Sequence, residues 1–336
     1  MIASERRAAR MVEVFPRDGL QTVIHEPGLR IPTSDEKVAI IQALDRAGIP
    51  EIEVTGFAHP KVIPSLADAE DVARRVLASP HQAVYRALVP NLRGAERAFG
   101  VGLTKVASLL VVSETYQRLN SNMSLEENLR EIERIVALAD RYHAAVTASM
   151  GMCFVCPYEG VVPLDRLLGV INRLVGLGIS EFTISDSVGL AWPQGVRTRV
   201  QAILTQWPHL NVGLHLHTLA GTAVVNAFVG YEAGAQYFES SVGGIGGGIA
   251  MPVHTTTMAN VATEDLVYMF EMSGIPTGVD LAALAEVGRA AQAAIGTGTG
   301  HVTAFGTLEA FLTTNRRQLG ALQERPPGSS AAVTSD

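Results

Sequence analysis

The sequence predicts an α/β fold, a (β/α)8 TIM barrel with extra C-terminal helices, on three observations. Eight short, β-rich apolar runs alternate with longer stretches of helical period. Those runs are apolar almost throughout, as strands buried on both faces are, which implies a parallel sheet covered by helices. The glycine-rich run Gly243–Gly248 follows the eighth strand rather than the first. A doubly wound dinucleotide-binding sheet would carry its glycines in the first βα turn.

The elements follow in order. Met11–Phe15 is the first strand and runs into Arg17-Asp18-Gly19. Thr33/Ser34 with Glu36/Lys37 opens a helix over 34–48. Ile52–Thr55 is the second strand, followed by a helix over 65–78. Ala83–Leu88 is the third, with a helix over 91–99. Lys105–Val112 is the fourth. Ser124 with Glu127 forms a capping box ahead of Leu129, Ile132 and Ile135, so a helix spans 124–142. Ala144–Ser149, Glu181–Ser185, Val212–His215 and Tyr237–Ser240 complete the eight, separated by helices over 164–177, 194–207 and 219–233. Further helical segments follow over 262–273, 279–294 and 306–320. Residues 1–10 read as an N-terminal arm, 11–320 as one catalytic barrel domain, and 321–336 as a disordered tail. The last stretch, ERPPGSSAAVTSD from Glu324, is small, polar and rich in Pro and Gly.

A chain of 336 residues buries a large core without disulfides, and its two cysteines fit a reducing compartment. The net charge of −7 argues against nucleic acid as a partner. There is no apolar run long enough for a membrane span, and the Arg-rich start has no apolar core of a secretory signal; a short Arg-rich transit peptide is the alternative, against which the first strand begins almost at once. A cytoplasmic homo-oligomer acting on a small molecule is expected. Cys153 and Cys156 are spaced as CxxC with no second pair for zinc and no thioredoxin-like setting, and they read as buried or merely spaced.

Chemistry in such a barrel sits at the C-terminal ends of the strands. The polar residues there are Arg17-Asp18, Glu53, Ser113-Glu114, Asp186, His215, His217 and Glu239-Ser240-Ser241. His215 and His217 are two apart on a strand and point to one side. Two imidazoles facing the mouth suit a divalent metal if a carboxylate such as Asp18 joins them. The alternative is a pair of buried histidines satisfied by hydrogen bonds. Arg17-Asp18 alone also fits a surface turn. Glu53 and Asp186 have apolar neighbours and need partners when buried, and Arg17 is a natural partner for either. A glycine loop lets backbone close over a ligand without side chains in the way.

These residues lie within stretches that resemble 3-hydroxy-3-methylglutaryl-CoA lyases. The stretches are Val12–Gln21 (VEVFPRDGLQ), Ile52–Thr55, Ser113–Asn128, Cys156–Gly160 (CPYEG), Asn260–Met269 (NVATEDLVYM) and Gly274–Val279. The wider group is the metal-dependent lyases and Claisen-type synthases built on a TIM barrel. The resemblance places the metal ligands on Asp18, His215, His217 and Asn260, and implies Mg²⁺ or Mn²⁺. It makes Arg17 the stabiliser of an enolate oxygen, and it puts Glu53, Asp186 and Glu264 at supporting acidic positions. Asp18 and His215 count with the catalytic set as well. It also implies a CoA thioester entering the mouth from solvent.

The sequence departs from the family in the shell that faces substrate. The family's loop after the eighth strand carries a cysteine, whereas Gly246–Pro252 here (GGGIAMP) has none. Thr218 stands where an Asp follows the second histidine. Thr147 and Ile24 stand in place of an arginine and a lysine. His254 is the one strongly titratable side chain between Gly243 and Asn260, and its ordinary pKa suits it to replace the thiol as a general acid.

The implied reaction is metal-dependent cleavage of a 3-hydroxyacyl-CoA to a keto product and acetyl-CoA. An aldolase or Claisen-type lyase or synthase on another 3-hydroxy acid or thioester is the second reading. A non-catalytic ligand-binding barrel is the third. Release of acetyl-CoA separates the first from the others, and the joint presence of Arg17, Asp18, His215, His217 and Asn260 argues against the third.

Overall fold

The computed structural model describes residues 6–23, 28–247, 259–298 and 300–323. The strands are β1 (Arg10–Glu13), β2 (Glu51–Gly56), β3 (Val84–Val89), β4 (Lys105–Val111), β5 (Ala145–Gly151), β6 (Val155–Cys156), β7 (Gly160–Val161), β8 (Glu181–Asp186), β9 (Asn211–Leu216) and β10 (Tyr237–Ser240). Eight of them close a parallel barrel in the order β1-β2-β3-β4-β5-β8-β9-β10, with β10 returning to β1 through Arg10↔Tyr237 to Glu13↔Ser240. The expected (β/α)8 barrel is present. β6 and β7 form a small antiparallel hairpin of two residues a side after β5, too short to leave a periodic signal.

The helices are α1 (Ser34–Arg46), α2 (Ala69–Leu77), α3 (Leu92–Gly100), α4 (Glu114–Ser121), α5 (Leu125–Tyr142), α6 (Leu164–Gly176), α7 (Pro193–Gln206), α8 (Ala223–Ala233), α9 (Thr263–Met272), α10 (Leu281–Ile295), α11 (His301–Phe305) and α12 (Leu308–Gln323). Both capping boxes form, Thr33 with Glu36 at α1 and Ser124 with Glu127 at α5. Each satisfies two amide donors that a helix start would leave orphaned. Among the described residues no helix is long and apolar enough to cross a membrane.

Several boundaries differ from those expected. The first strand ends at Glu13, not Phe15, because the amides of Arg17, Asp18 and Gly19 all turn back to the carbonyl of Val14, at 3.1, 2.7 and 3.3 Å. Phe15–Gly19 is therefore a single turn of π-helix, a form found often at functional sites. α2 starts at Ala69 after a 3₁₀ turn at Pro64–Leu66. α8 starts at Ala223, since Gly221 takes a left-handed φ of 70° in the turn before it. α4 was not expected at all. Its sequence ETYQRLNS buries only Tyr116 and Gln117, so it carries no apolar stripe to read. α12 continues to Gln323, into the stretch expected as tail; 324–336 lie outside the described residues.

The barrel interior is not wholly apolar. Arg86, on β3, is fully buried and meets Glu51, Glu53 and Glu239. Below it, Lys105 joins Glu51 at 2.8 Å and Glu181 at 2.6 Å. Charges removed from water are tolerated only when paired and hydrogen-bonded. The partners come from four strands of the barrel, Glu51 and Glu53 from β2, Lys105 from β4, Glu181 from β8 and Glu239 from β10.

Candidate active site

The π-helical turn after β1 delivers Arg17 and Asp18 to the C-terminal mouth, where both are buried. β9 delivers His215 from within the strand and His217 from just beyond its end. Asn260 arrives by a different route. The segment 259–261 pairs antiparallel with the end of β9, through Thr218 N–H to Ala259 O at 2.9 Å and Val261 N–H to Leu216 O at 3.1 Å. That pairing sets Asn260 opposite His217 across a β-bridge. Strand-end geometry thus gathers residues 18, 215, 217 and 260 from three parts of the chain.

One ligand-type atom from each of Asp18, His215 and His217 lies within 4.8 Å of the others. The two Nε2 atoms of the histidines face each other at 2.9 Å. Asn260 Nδ2 donates to Asp18 Oδ2 at 2.6 Å, while Asn260 Oδ1 is buried with no partner among the described residues. An orphaned buried oxygen beside a carboxylate and two imidazoles is what a divalent cation would satisfy. Gln21 braces the set, donating to Asp18 Oδ1 at 2.7 Å and to Gly247 O at 2.8 Å.

Arg17 lies against this cluster. Its Nε donates to Glu53 Oε1 and its Nη1 to Asp18 Oδ1. Burial alone would lower the pKa of Arg17, but Glu53 and Asp18 hold it above its ordinary value. Burial would likewise raise that of Asp18; Arg17 and then His215 hold it below the usual carboxylate range. The two histidines are pushed apart. Burial and the neighbouring His215 bring His217 down to about 3. For His215, burial is outweighed by its Nδ1 contact with Glu239 at 3.1 Å and by the charge of Asp18, which together raise it. A cation must displace the proton that His215 carries below that raised pKa. Mn²⁺ affinity should therefore begin to weaken already above pH 6.5, the ordinary histidine value, and go on weakening as pH falls. Calorimetry in two buffers of different ionisation enthalpy should show proton release that grows over the same interval; binding with no proton release would contradict this.

A cavity of about 280 Å³ opens above the cluster, with Arg17, Asp18, His215 and His217 in its lining. Val62, Ile63 and Met123 line it too, as do Tyr116 and Gln117 of α4. The loop after β10 packs against the cluster, with Ile245 O and Gly247 O accepting from Asn260 Nδ2 and Gln21 Nε2 at 3.1 and 2.8 Å. Gly246 has φ 117°, and a Cβ there would lie 2.5 Å from Asn260 Nδ2 and 2.8 Å from Asp18 O. Gly246→Ala should therefore displace Asn260 and Asp18 together and weaken Mn²⁺ binding by about tenfold or more. A titration of the variant that matched wild type would show that the close approach is dispensable.

The other residues singled out from the sequence take varied places. Glu53 pairs with Arg17, but Asp186 does not; its carboxylate instead accepts the amides of Gly189, Leu190 and Ala191 at 2.9–3.1 Å. Burial still raises Asp186 to about 6. Glu264 sits behind the glycine loop, accepting from Gly243 N–H at 3.0 Å and from Thr303. It supports the loop and is not part of the cavity lining. Glu239 backs His215, while Glu114 turns outward to Arg118 and the amide of Leu125. Cys153 and Cys156 are both buried free thiols as expected, and burial pushes Cys153 up to about 12. Thr147 lies low on β5, bonded to Glu181 at 2.7 Å. His254 and Ile24 lie outside the described residues.

Two residues had not been singled out. Glu13 accepts the amides of Phe15 and Val242 and the hydroxyl of Thr263, tying β1 to the loop after β10. Arg86 carried a signal, a lone arginine in the apolar strand VYRALV.

Comparison with known proteins agrees with this geometry. The HMGL-like family model matches residues 8–290. A hydroxymethylglutaryl-CoA lyase of Bacillus subtilis is 39% identical over 269 residues, covering 80% of this chain and 87% of its own. An (R)-citramalyl-CoA lyase of Chloroflexus aurantiacus is 35% identical over 286 residues, covering 82% and 88%. The structure of an HMG-CoA lyase from Acinetobacter baumannii in complex with coenzyme A and 3-methylmalate superposes with TM-score 0.84 at 31% identity, covering 92% of this chain and 98% of that one. With the family model spanning residues 8–290 and relatives at 35–39% identity over 80% or more of its length, the chain belongs to the HMGL-like family.

Proposed function

We propose that the enzyme is a metal-dependent carbon–carbon lyase that cleaves a 3-hydroxyacyl-CoA, of the 3-hydroxy-3-methylglutaryl-CoA type, to a keto product and acetyl-CoA. The observation that carries this reading is the buried Arg17, anchored by Glu53 and Asp18, at the edge of the Asp18–His215–His217–Asn260 cluster on a cavity floor. Relatives named for two different CoA lyases support the thioester class. A neighbouring structure named for its coenzyme A complex supports it as well.

Asp18, His215, His217 and Asn260 would hold the ion. One carboxylate, one amide oxygen and two imidazoles, with room for substrate oxygens, suit Mg²⁺ or Mn²⁺. When bound, such an ion supplies Lewis acidity to the oxygens of a 3-hydroxy thioester and lowers the pKa of its hydroxyl.

The chain's own groups account for the rest. Asp18 is held ionised and His217 neutral, so both present lone pairs at neutral pH; we assign Asp18 as the acceptor of the substrate's hydroxyl proton, whose own pKa a bound ion would lower. The C2–C3 bond breaks as the hydroxyl proton leaves. C3 becomes a carbonyl, and the electron pair stays on the thioester as an enolate. Arg17, fixed before the reaction by two carboxylates, meets the developing negative charge without reorganising. Val62, Ile63 and Met123 give the cavity part of an apolar wall. Protonation at C2 completes acetyl-CoA, and we propose His254 as the acid. Two buried reduced thiols support a cytoplasmic setting. Exposed apolar residues on α12, Phe311 and Leu312, support a homo-oligomer.

The test is acetyl-CoA release from 3-hydroxy-3-methylglutaryl-CoA, followed with metal-stripped protein and after Mg²⁺ or Mn²⁺ is restored. Release that needs the ion is expected; release unaffected by stripping would overturn the metal assignment.

A further inference from the structure

The buried charge cluster inside the barrel is wired to the mouth by one side chain. Arg86 Nε donates to Glu53 Oε2 at 2.9 Å, and Arg86 Nη2 donates to Glu239 Oε1. The remaining oxygen of each carboxylate serves a residue of the site. Glu53 Oε1 receives Arg17 Nε, and Glu239 Oε2 faces His215 Nδ1 at 3.1 Å. Glu53 is on β2 and Glu239 on β10, two strands that are not neighbours because β1 lies between them. A third carboxylate, Glu51, takes Arg86 Nη1 at 3.3 Å and touches no residue of the cavity floor.

We propose that Arg86 is a positioning residue that fixes the bearing of Arg17 and His215 relative to each other. A carboxylate held at one oxygen offers the other in a set plane. A guanidinium is a rigid planar fork, so holding two carboxylates at once also sets the distance between them. The chain Arg17–Glu53–Arg86–Glu239–His215 thereby links the group that meets the enolate with a group that would hold the ion. Thr183 Oγ1 adds a bond to Glu239 Oε1 at 2.7 Å, locking that end further. The competing role is charge balance alone, with Arg86 merely offsetting three buried carboxylates.

Arg86→Lys separates the two, since a lysine keeps the charge and loses the fork. The expected result is a folded protein with Mn²⁺ affinity and kcat each reduced by about tenfold or more, and KM for the thioester within about twofold of wild type. Glu51→Gln is the control, because it alters the same buried charge network away from the site; it should leave Mn²⁺ affinity and kcat at wild-type values. The double variant Arg86→Lys/Glu51→Gln, with one buried carboxylate fewer, decides the matter if the single lysine variant does not fold. Wild-type Mn²⁺ affinity in the lysine variant would overturn the proposal. So would losses of equal size in Glu51→Gln. The kcat arm rests on the lyase reading above, whereas the Mn²⁺ titration needs no substrate and stands if that reading fails.

Discussion

Arg17→Gln is expected to lower kcat by on the order of 10²–10³-fold while KM changes far less. The reason is timing. A carbanion-like charge exists only as the C2–C3 bond breaks, so a donor aimed at it acts in the transition state and hardly at all in the ground state. Arg17 is suited to this because two carboxylates, Glu53 and Asp18, hold it before substrate arrives. The glutamine keeps a donor but loses the charge and the fork. It also leaves Glu53 with Arg86 as its remaining arginine partner, so folding should be checked by the melting temperature. Steady-state kinetics decide the point: a change confined to KM would mean that Arg17 binds substrate without assisting the cleavage.

His217→Ala should abolish turnover and weaken Mn²⁺ binding by more than about 100-fold. Loss of a group that only orients a ligand costs about 10–100-fold in affinity, so loss of a ligand itself should exceed that. The site leaves few substitutes. His215 and Asp18 are already committed, and Asn260 has one free oxygen. His217 is also the imidazole kept neutral by burial, and hence ready to donate a lone pair without first losing a proton. Electron paramagnetic resonance of free Mn²⁺ against protein concentration gives the affinity directly. A variant with wild-type metal affinity and rate would remove His217 from the ligand set.

The barrel was legible because its strands are short apolar runs at regular spacing, and periodicity carries such elements well. The same feature hid two things. α4 buries only Tyr116 and Gln117, so its residues read as a polar loop although Tyr116, Gln117, Asn120 and Ser121 wall the cavity. Arg86 interrupts an apolar strand, and strand patterning gives no means of telling which carboxylates it meets, because its partners stand 33, 35 and 153 residues away in sequence. In the site, His215 and His217 were legible from strand geometry and Asp18 from its position at a strand end. Asn260 came only through resemblance to a family. Its placement depends on a β-bridge to His217 formed by a segment after the glycine loop, a long-range pairing with no local signature. The choice of Arg17's partner was open between Glu53 and Asp186. The structure selects Glu53, because the loop after β8 curls its own amides onto Asp186.

The proposed activity is cleavage of the carbon–carbon bond of a 3-hydroxyacyl-CoA by this cluster when a divalent ion is present. Mass spectrometry of reactions with a panel of 3-hydroxyacyl-CoA thioesters, including the 3-hydroxy-3-methylglutaryl and citramalyl compounds, tests it most directly. With Mg²⁺ or Mn²⁺ the account predicts acetyl-CoA and a matching keto product from at least one member, in equal amounts, with both lost on adding a chelator. Intact thioesters throughout the panel, or cleavage that continues in the chelator, would contradict it.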